Sequence, residues 1–97
     1  MGAMKSLKLS IHSTQYVWLR QLFLQRRLEL GLSQRALAAR LGVIHSLVGK
    51  VETGDRRLDV FEFVMYCSAL ELNPVDILIK INLPFENHQE IDEVKST

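Results

Sequence analysis

The side chains best suited to catalysis or metal binding are scattered along this chain rather than gathered. His12, His45 and His88 stand far apart with no cysteine or carboxylate at metal-ligand spacing, so no metal site is expected. Cys67 is the only cysteine and cannot form an internal disulfide. It falls on the inward side of an amphipathic stretch, where packing outweighs a redox role. There is no glycine-rich phosphate loop, nucleophile elbow or cysteine–histidine arrangement, and 97 residues leave little room for a substrate pocket. Neither an enzyme nor a cofactor is expected. What does cluster is charge. From Met1 to Arg57, ten Lys or Arg face three acids, a net of +7, whereas Leu58 to Thr97 holds two Lys and eight acids, a net of −6. The overall +1 conceals this asymmetry, which suggests a basic face for a polyanion and a separate acidic region.

The elements that must position these charges read as helices. Hydrophobic residues make up 47% of the chain and charged residues 24%, which excludes disorder. Alternating β-branched runs are nearly absent, so the fold class is all-α. Ser13 or Thr14 can cap a first helix carrying Tyr16, Leu19, Phe23, Arg27 and Leu30 inward and stopping at Gly31. Ser33 caps a second helix, Gln34 to Leu41, with Leu37, Ala38 and Leu41 inward and Gly42 ending it. A third, from about His45 to Glu52, buries Val48 and Val51 and ends at Gly54. Asp59 and Glu62 form a capping-box start for a fourth, with Val60, Phe63, Val64, Cys67 and Leu70 as core candidates. Asn73-Pro74 opens a fifth through about Ile79.

This predicts one compact five-helix domain over 13–82, a tag remnant and amino-terminal arm over 1–12, and a tail over 83–97 that is either mobile or part of a dimer contact. No apolar run approaches the ~20 residues that cross a bilayer, and the start lacks the pattern of a secretory signal. Together with the lone cysteine, this points to a cytoplasmic protein with no membrane partner.

The most informative stretch is Ser33 to Gly54: cap, short helix, glycine, very short turn, short helix, glycine. Two helices joined so tightly cross steeply, which needs a small residue at the close approach (Ala38) and one tolerating positive φ in the turn (Gly42). One face of the third helix is then left projecting, as in a helix-turn-helix that enters a DNA major groove.

The run from Gly31-Leu32-Ser33-Gln34 through Leu41-Gly42-Val43, followed by Val48, Val51-Glu52-Thr53-Gly54, Ala69-Leu70 and Asn73-Pro74, resembles the lambda-repressor-like, or XRE-type, helix-turn-helix regulators. The resemblance extends from about Leu19 to Leu78. It implies a DNA-binding set. Ser33 and Gln34 would meet a phosphate at the start of the second helix. Ser33 has an equally good alternative role as a plain N-cap. Ile44, His45, Ser46, Gly49 and Lys50 match the base readers, with Leu47 as adjoining apolar contact. Lys50 can donate to guanine O6 or N7, and Ile44 can meet a thymine methyl. Arg56 and Arg57 follow in the loop as phosphate contacts. Arg27 and Glu52 look like the family's buried ion pair, an architectural link and not a base contact. The chain departs from the pattern at Ile44, usually a capping Ser or Thr, at Gly49 within a helix, and at Glu71, where glycine is common.

The resulting expectation is a sequence-specific, double-stranded-DNA-binding transcriptional regulator of bacterial or phage type. It would be a homodimeric repressor or autoregulator on a near-palindromic operator, dimerising through Val75, Leu78, Ile79, Ile81, Leu83 and Phe85. An RNA polymerase contact through the acidic half is also open. The alternatives are an antitoxin paired with a toxin, a restriction-modification controller, and a protein-interaction adaptor that does not bind DNA.

Overall fold

The chain caps its own helices, and those caps set the architecture. In the computed structural model, which describes residues 14–83, the order is α1 (Thr14–Glu29), α2 (Gln34–Leu41), α3 (His45–Thr53), α4 (Val60–Ala69) and α5 (Pro74–Ile81), with no strand among the described residues. This is the all-α, five-helix class that the periodicity indicates. Ser33 Oγ accepts from the Ala36 amide at 3.0 Å, and Asn73 Oδ1 accepts from Val75 at 2.8 Å ahead of Pro74. At α4 the capping box is complete: Asp59 Oδ1 accepts the Glu62 amide at 2.8 Å, and Glu62 Oε1 accepts the Asp59 amide at 2.9 Å. Thr14 is the first residue of α1 rather than its cap, and Ser13 lies outside the described residues, as do the segments 1–12 and 84–97.

Eleven apolar side chains form the core, with Phe23, Leu37, Val48, Val51, Tyr66, Cys67 and Leu70 almost wholly enclosed. Phe23 of α1 stacks tilted on Tyr66 at 4.8 Å between ring centroids and approaches Phe63 at 6.1 Å. Burial raises the Cys67 thiol to about 11, so the sulfur packs as an apolar group. The Tyr66 hydroxyl is buried without a hydrogen-bond partner among the described residues, and burial raises its pKa as well.

Val60 and Val64, expected in the core, lie outside it. Val60 is 73% exposed and Val64 is exposed, while Tyr66 takes the core place. At 100° per residue, the buried arc through Phe63, Tyr66, Cys67 and Leu70 leaves Val64 beyond its edge, and Val60 starts the helix where it projects past the core. α4 is apolar at almost every position, so its pattern alone did not single out one face.

The exit of α4 is held by arginines from elsewhere. Glu71 adopts φ +60°, the left-handed conformation that glycine takes most easily. Arg40 Nη1 bonds the Ala69 carbonyl at 2.8 Å and Glu71 Oε2 at 3.1 Å, and Arg26 Nε bonds the Leu70 carbonyl at 2.9 Å. The Arg40–Glu71 pair is exposed, so it offsets little of the backbone strain. Replacing Glu71→Gly should therefore raise unfolding stability by about 1 kcal/mol, measured by urea denaturation with an unchanged m-value.

Candidate nucleic-acid interface

Whether α3 can read DNA depends on how firmly it is mounted. Gly42 at φ +72° ends α2, and its successor Val43 donates to the Ala38 carbonyl at 3.0 Å. The turn into α3 is therefore only three residues, and α2 and α3 pack against each other around buried Ala38. Val48 and Val51 anchor the inner side of α3. Ile44, His45, Ser46 and Lys50 are exposed on it, while Leu47 and Gly49 are half-buried.

The far end of α3 is fastened by a polar network. Arg27 Nε donates to Glu52 Oε2 at 2.6 Å and Arg27 Nη2 to Glu52 Oε1 at 3.1 Å, a bidentate pair with side-chain exposures of 10% and 7%. Arg27 Nη1 donates to the Leu32 carbonyl at 2.8 Å, and Gln34 Nε2 donates to Glu52 Oε1 at 2.9 Å. One carboxylate of α3 is thus tied to α1 and to the first residue of α2, and its arginine partner to the α1–α2 connection. The Gln34 side chain lies over Gly49, where an added Cβ would sit 3.5 Å from Gln34 Oε1.

Beyond α3 the chain turns at Gly54, with φ +89° and Arg20 packed so closely that a Cβ would come within 2.6 Å of its Nη1. The next loop is pinned: the Arg56 amide donates to the Lys50 carbonyl at 3.2 Å, and Tyr16 Oη donates to the Arg56 carbonyl at 3.5 Å. Arg56 Nη2 and Nη1 donate to Glu62 Oε2 at 2.7 Å and Oε1 at 3.1 Å. This guanidinium, with the Asp59 amide assisting, holds the Glu62 carboxyl down at about 2.

A helix-turn-helix family model matches residues 24–77, which include both helices of the motif and the Arg27–Glu52 pair. The chain belongs to the XRE-type helix-turn-helix family. Among solved structures, this XRE-type chain is similar to the XRE-family like protein from Pseudomonas syringae pv. tomato str. DC3000, with 39% identity over 78% of this chain and 93% of that one and a TM-score of 0.69. No curated protein matches. XRE-type domains are DNA-binding regulators and not normally enzymes, and double-stranded DNA is the partner class of the family. Among the described residues, no helix is long and apolar enough to cross a membrane.

Within this XRE-type frame, His45, Ser46 and Lys50 share the exposed part of α3 with Ile44, which is its N-cap residue and makes no side-chain capping bond. Ser33 is exposed beside Gln34, and its oxygen already serves as the α2 cap. Arg57 is exposed in the loop, and the Arg56 guanidinium is bonded to Glu62. Of the basic residues that gave the amino-terminal half its charge, Arg26, Arg27, Arg40 and Arg56 all serve internal contacts. The sequence reading missed Tyr16, Arg20 and Glu62 as organisers of the post-α3 loop. Glu62 had one legible signal, its capping-box position six residues after Arg56.

The positions of Gly49 and Glu62 yield two expectations. Gly49→Ala fits at ordinary contact distance and restores helix propensity, so stability should rise by about 1 kcal/mol in thermal or urea unfolding. A loss of DNA affinity in that stabilised variant would locate the need for glycine in the complex, not in the free fold. For Glu62, the folded carboxyl at about 2 lies below its ordinary 4.5. Its stabilising contribution is therefore complete above about 4.5 and is lost as pH falls toward 2. The stability difference between wild type and Glu62→Gln, followed by circular dichroism, should be constant near neutrality and shrink across that window.

Proposed function

We propose that this chain is a homodimeric, sequence-specific transcriptional regulator, a repressor or autoregulator that reads a near-palindromic operator with α3. The observation that carries the reading is the mounting of α3: its base-facing edge is exposed while Glu52 at its far end is fixed to Arg27 and Gln34 at 2.6–3.1 Å. A reading helix must hold its side chains to within a fraction of an ångström, and such a network supplies that rigidity.

In this reading Lys50 donates to guanine O6 or N7, and His45 and Ser46 meet a base edge or phosphate. Ile44 and Leu47 offer apolar contact to thymine methyls, and Gly49 allows close approach. Gln34 has one amide hydrogen committed to Glu52, and its second is available to a phosphate beside the start of α2, with Ser33 adjacent. Arg57 contributes a further phosphate contact. One short helix reads only a few base pairs, so two copies in successive major grooves, roughly 34 Å apart, supply specificity.

The dimer contact proposed is the outer side of α5. Val75, Leu78 and Ile79 are 59%, 52% and 58% exposed and share one side of the helix, an apolar stripe suited to a contact with a second copy. Ile81 and Leu83 are half-buried and flank it, Ile81 packing on the core, and Phe85 lies outside the described residues.

The test is fluorescence anisotropy with a duplex from upstream of the chain's own gene and a shuffled duplex, at low and near-physiological salt. Retained affinity for the first only is expected, with Lys50→Ala lowering it by about 5- to 150-fold for each half-site whose base contact is lost. Equal, salt-erased binding to both would remove the sequence-specific reading and favour the adaptor. In sedimentation equilibrium, Leu78→Lys should shift dimer to monomer; an unchanged dimer would move the interface elsewhere.

A further inference from the structure

Arg56 sits next to the proposed DNA face, its amide bonded to the carbonyl of Lys50, yet its guanidinium is engaged at the surface by Glu62. Nη2 donates to Glu62 Oε2 at 2.7 Å, and Nη1 is shared between Glu62 Oε1 at 3.1 Å and the Arg57 carbonyl at 2.9 Å. An exposed pair between two mobile side chains yields easily to a phosphate. This pair differs because its carboxylate is held in advance. Glu62 Oε1 also accepts the Asp59 amide at 2.9 Å, while the Glu62 amide donates to Asp59 at 2.8 Å. The backbone of Arg56 is fixed as well, by the Lys50 carbonyl at 3.2 Å and the Tyr16 hydroxyl at 3.5 Å. Both halves of a bidentate contact are thus positioned before any nucleic acid arrives.

We propose that Glu62 withholds Arg56 from the DNA backbone, so that each protomer engages one phosphate fewer than its basic residues allow, which limits salt-sensitive binding to arbitrary sequence. Arg56 is then a positioning residue for the loop after α3, and Glu62 sets the strength of nonspecific association. The inference rests on the DNA-binding reading above. Each phosphate contact adds about 0.9 to the slope of log affinity against log salt, equivalent to about a 3.5-fold change in affinity between 50 and 200 mM. Withholding one arginine removes that increment.

The experiment measures the salt slope on a shuffled duplex by anisotropy for wild type, Arg56→Gln, Glu62→Gln, the double variant and Arg56→Lys. Glutamine at the third position of a helix maintains a capping box, so Glu62→Gln retains the start of α4. Arg56→Gln should leave the wild-type slope unchanged. Glu62→Gln should steepen it by about 0.9 per protomer, and adding Arg56→Gln should abolish that gain. Arg56→Lys keeps the net charge but loses the bidentate grip, so it should also steepen the slope; this separates release of a cation from simple removal of an acid. A lower slope in Arg56→Gln alone, or an equal effect of Arg56→Gln in both backgrounds, would overturn the proposal while leaving DNA binding intact. A wild-type protein that binds neither duplex, with Lys50→Ala indistinguishable from it, would bring down the DNA-binding reading and this proposal together.

Discussion

The bidentate contact between Arg27 and Glu52 is the constraint on which the rest of the molecule depends. A guanidinium and a carboxylate this shielded are costly to desolvate, and the arrangement is stable because nearly every donor and acceptor is satisfied: Glu52 accepts three hydrogen bonds and Arg27 makes a further one to Leu32. The pair gives direction where the apolar core gives only cohesion. Phe23, Val48, Val51 and Tyr66 would tolerate small rotations of α3, whereas a planar fork-to-fork contact fixes its azimuth and its displacement along the axis. The apolar core thus determines which side of α3 packs inward, and the ion pair refines the rotation and axial position at which it does so.

The glycines at the two ends of this unit serve the same geometry. Gly42 and Gly54 occupy left-handed conformations that end α2 and α3 within a single residue, and at Gly54 the Arg20 guanidinium fills the place of a side chain. Short connections leave α3 no slack. The same economy appears at the exit of α4, where Glu71 accepts a strained backbone and Arg26 and Arg40 reach across from α1 and α2 to hold the terminal carbonyls. Long side chains near the surface thus replace core area that a domain of this size lacks.

Features set by local chemistry were legible in the sequence. Ser33, Asp59 with Glu62, and Asn73-Pro74 mark helix starts because a cap is a contact between residues two or three apart, and Gly42 and Gly54 mark ends because few other residues adopt their φ. The order of these marks was enough to identify the fold and the exposed helix. What the sequence left hidden was set by distance. Arg56 and Arg57 look alike along the chain, and it is the folded course of α4 that brings Glu62 against Arg56. Gln34 reads as a surface amide until α3 swings Glu52 beneath it. The Val60 and Val64 expectation failed for another reason: nearly every residue of α4 is apolar, so periodicity carried no phase, and Tyr66 won the interior by stacking on Phe23.

The missing side-chain cap at Ile44 has a thermodynamic consequence for recognition. α3 begins without a side-chain acceptor for its leading amides, so the first turn, which carries His45 and Ser46, presents backbone donors that no side chain caps. A phosphate oxygen meeting those amides would supply the cap that the chain itself lacks.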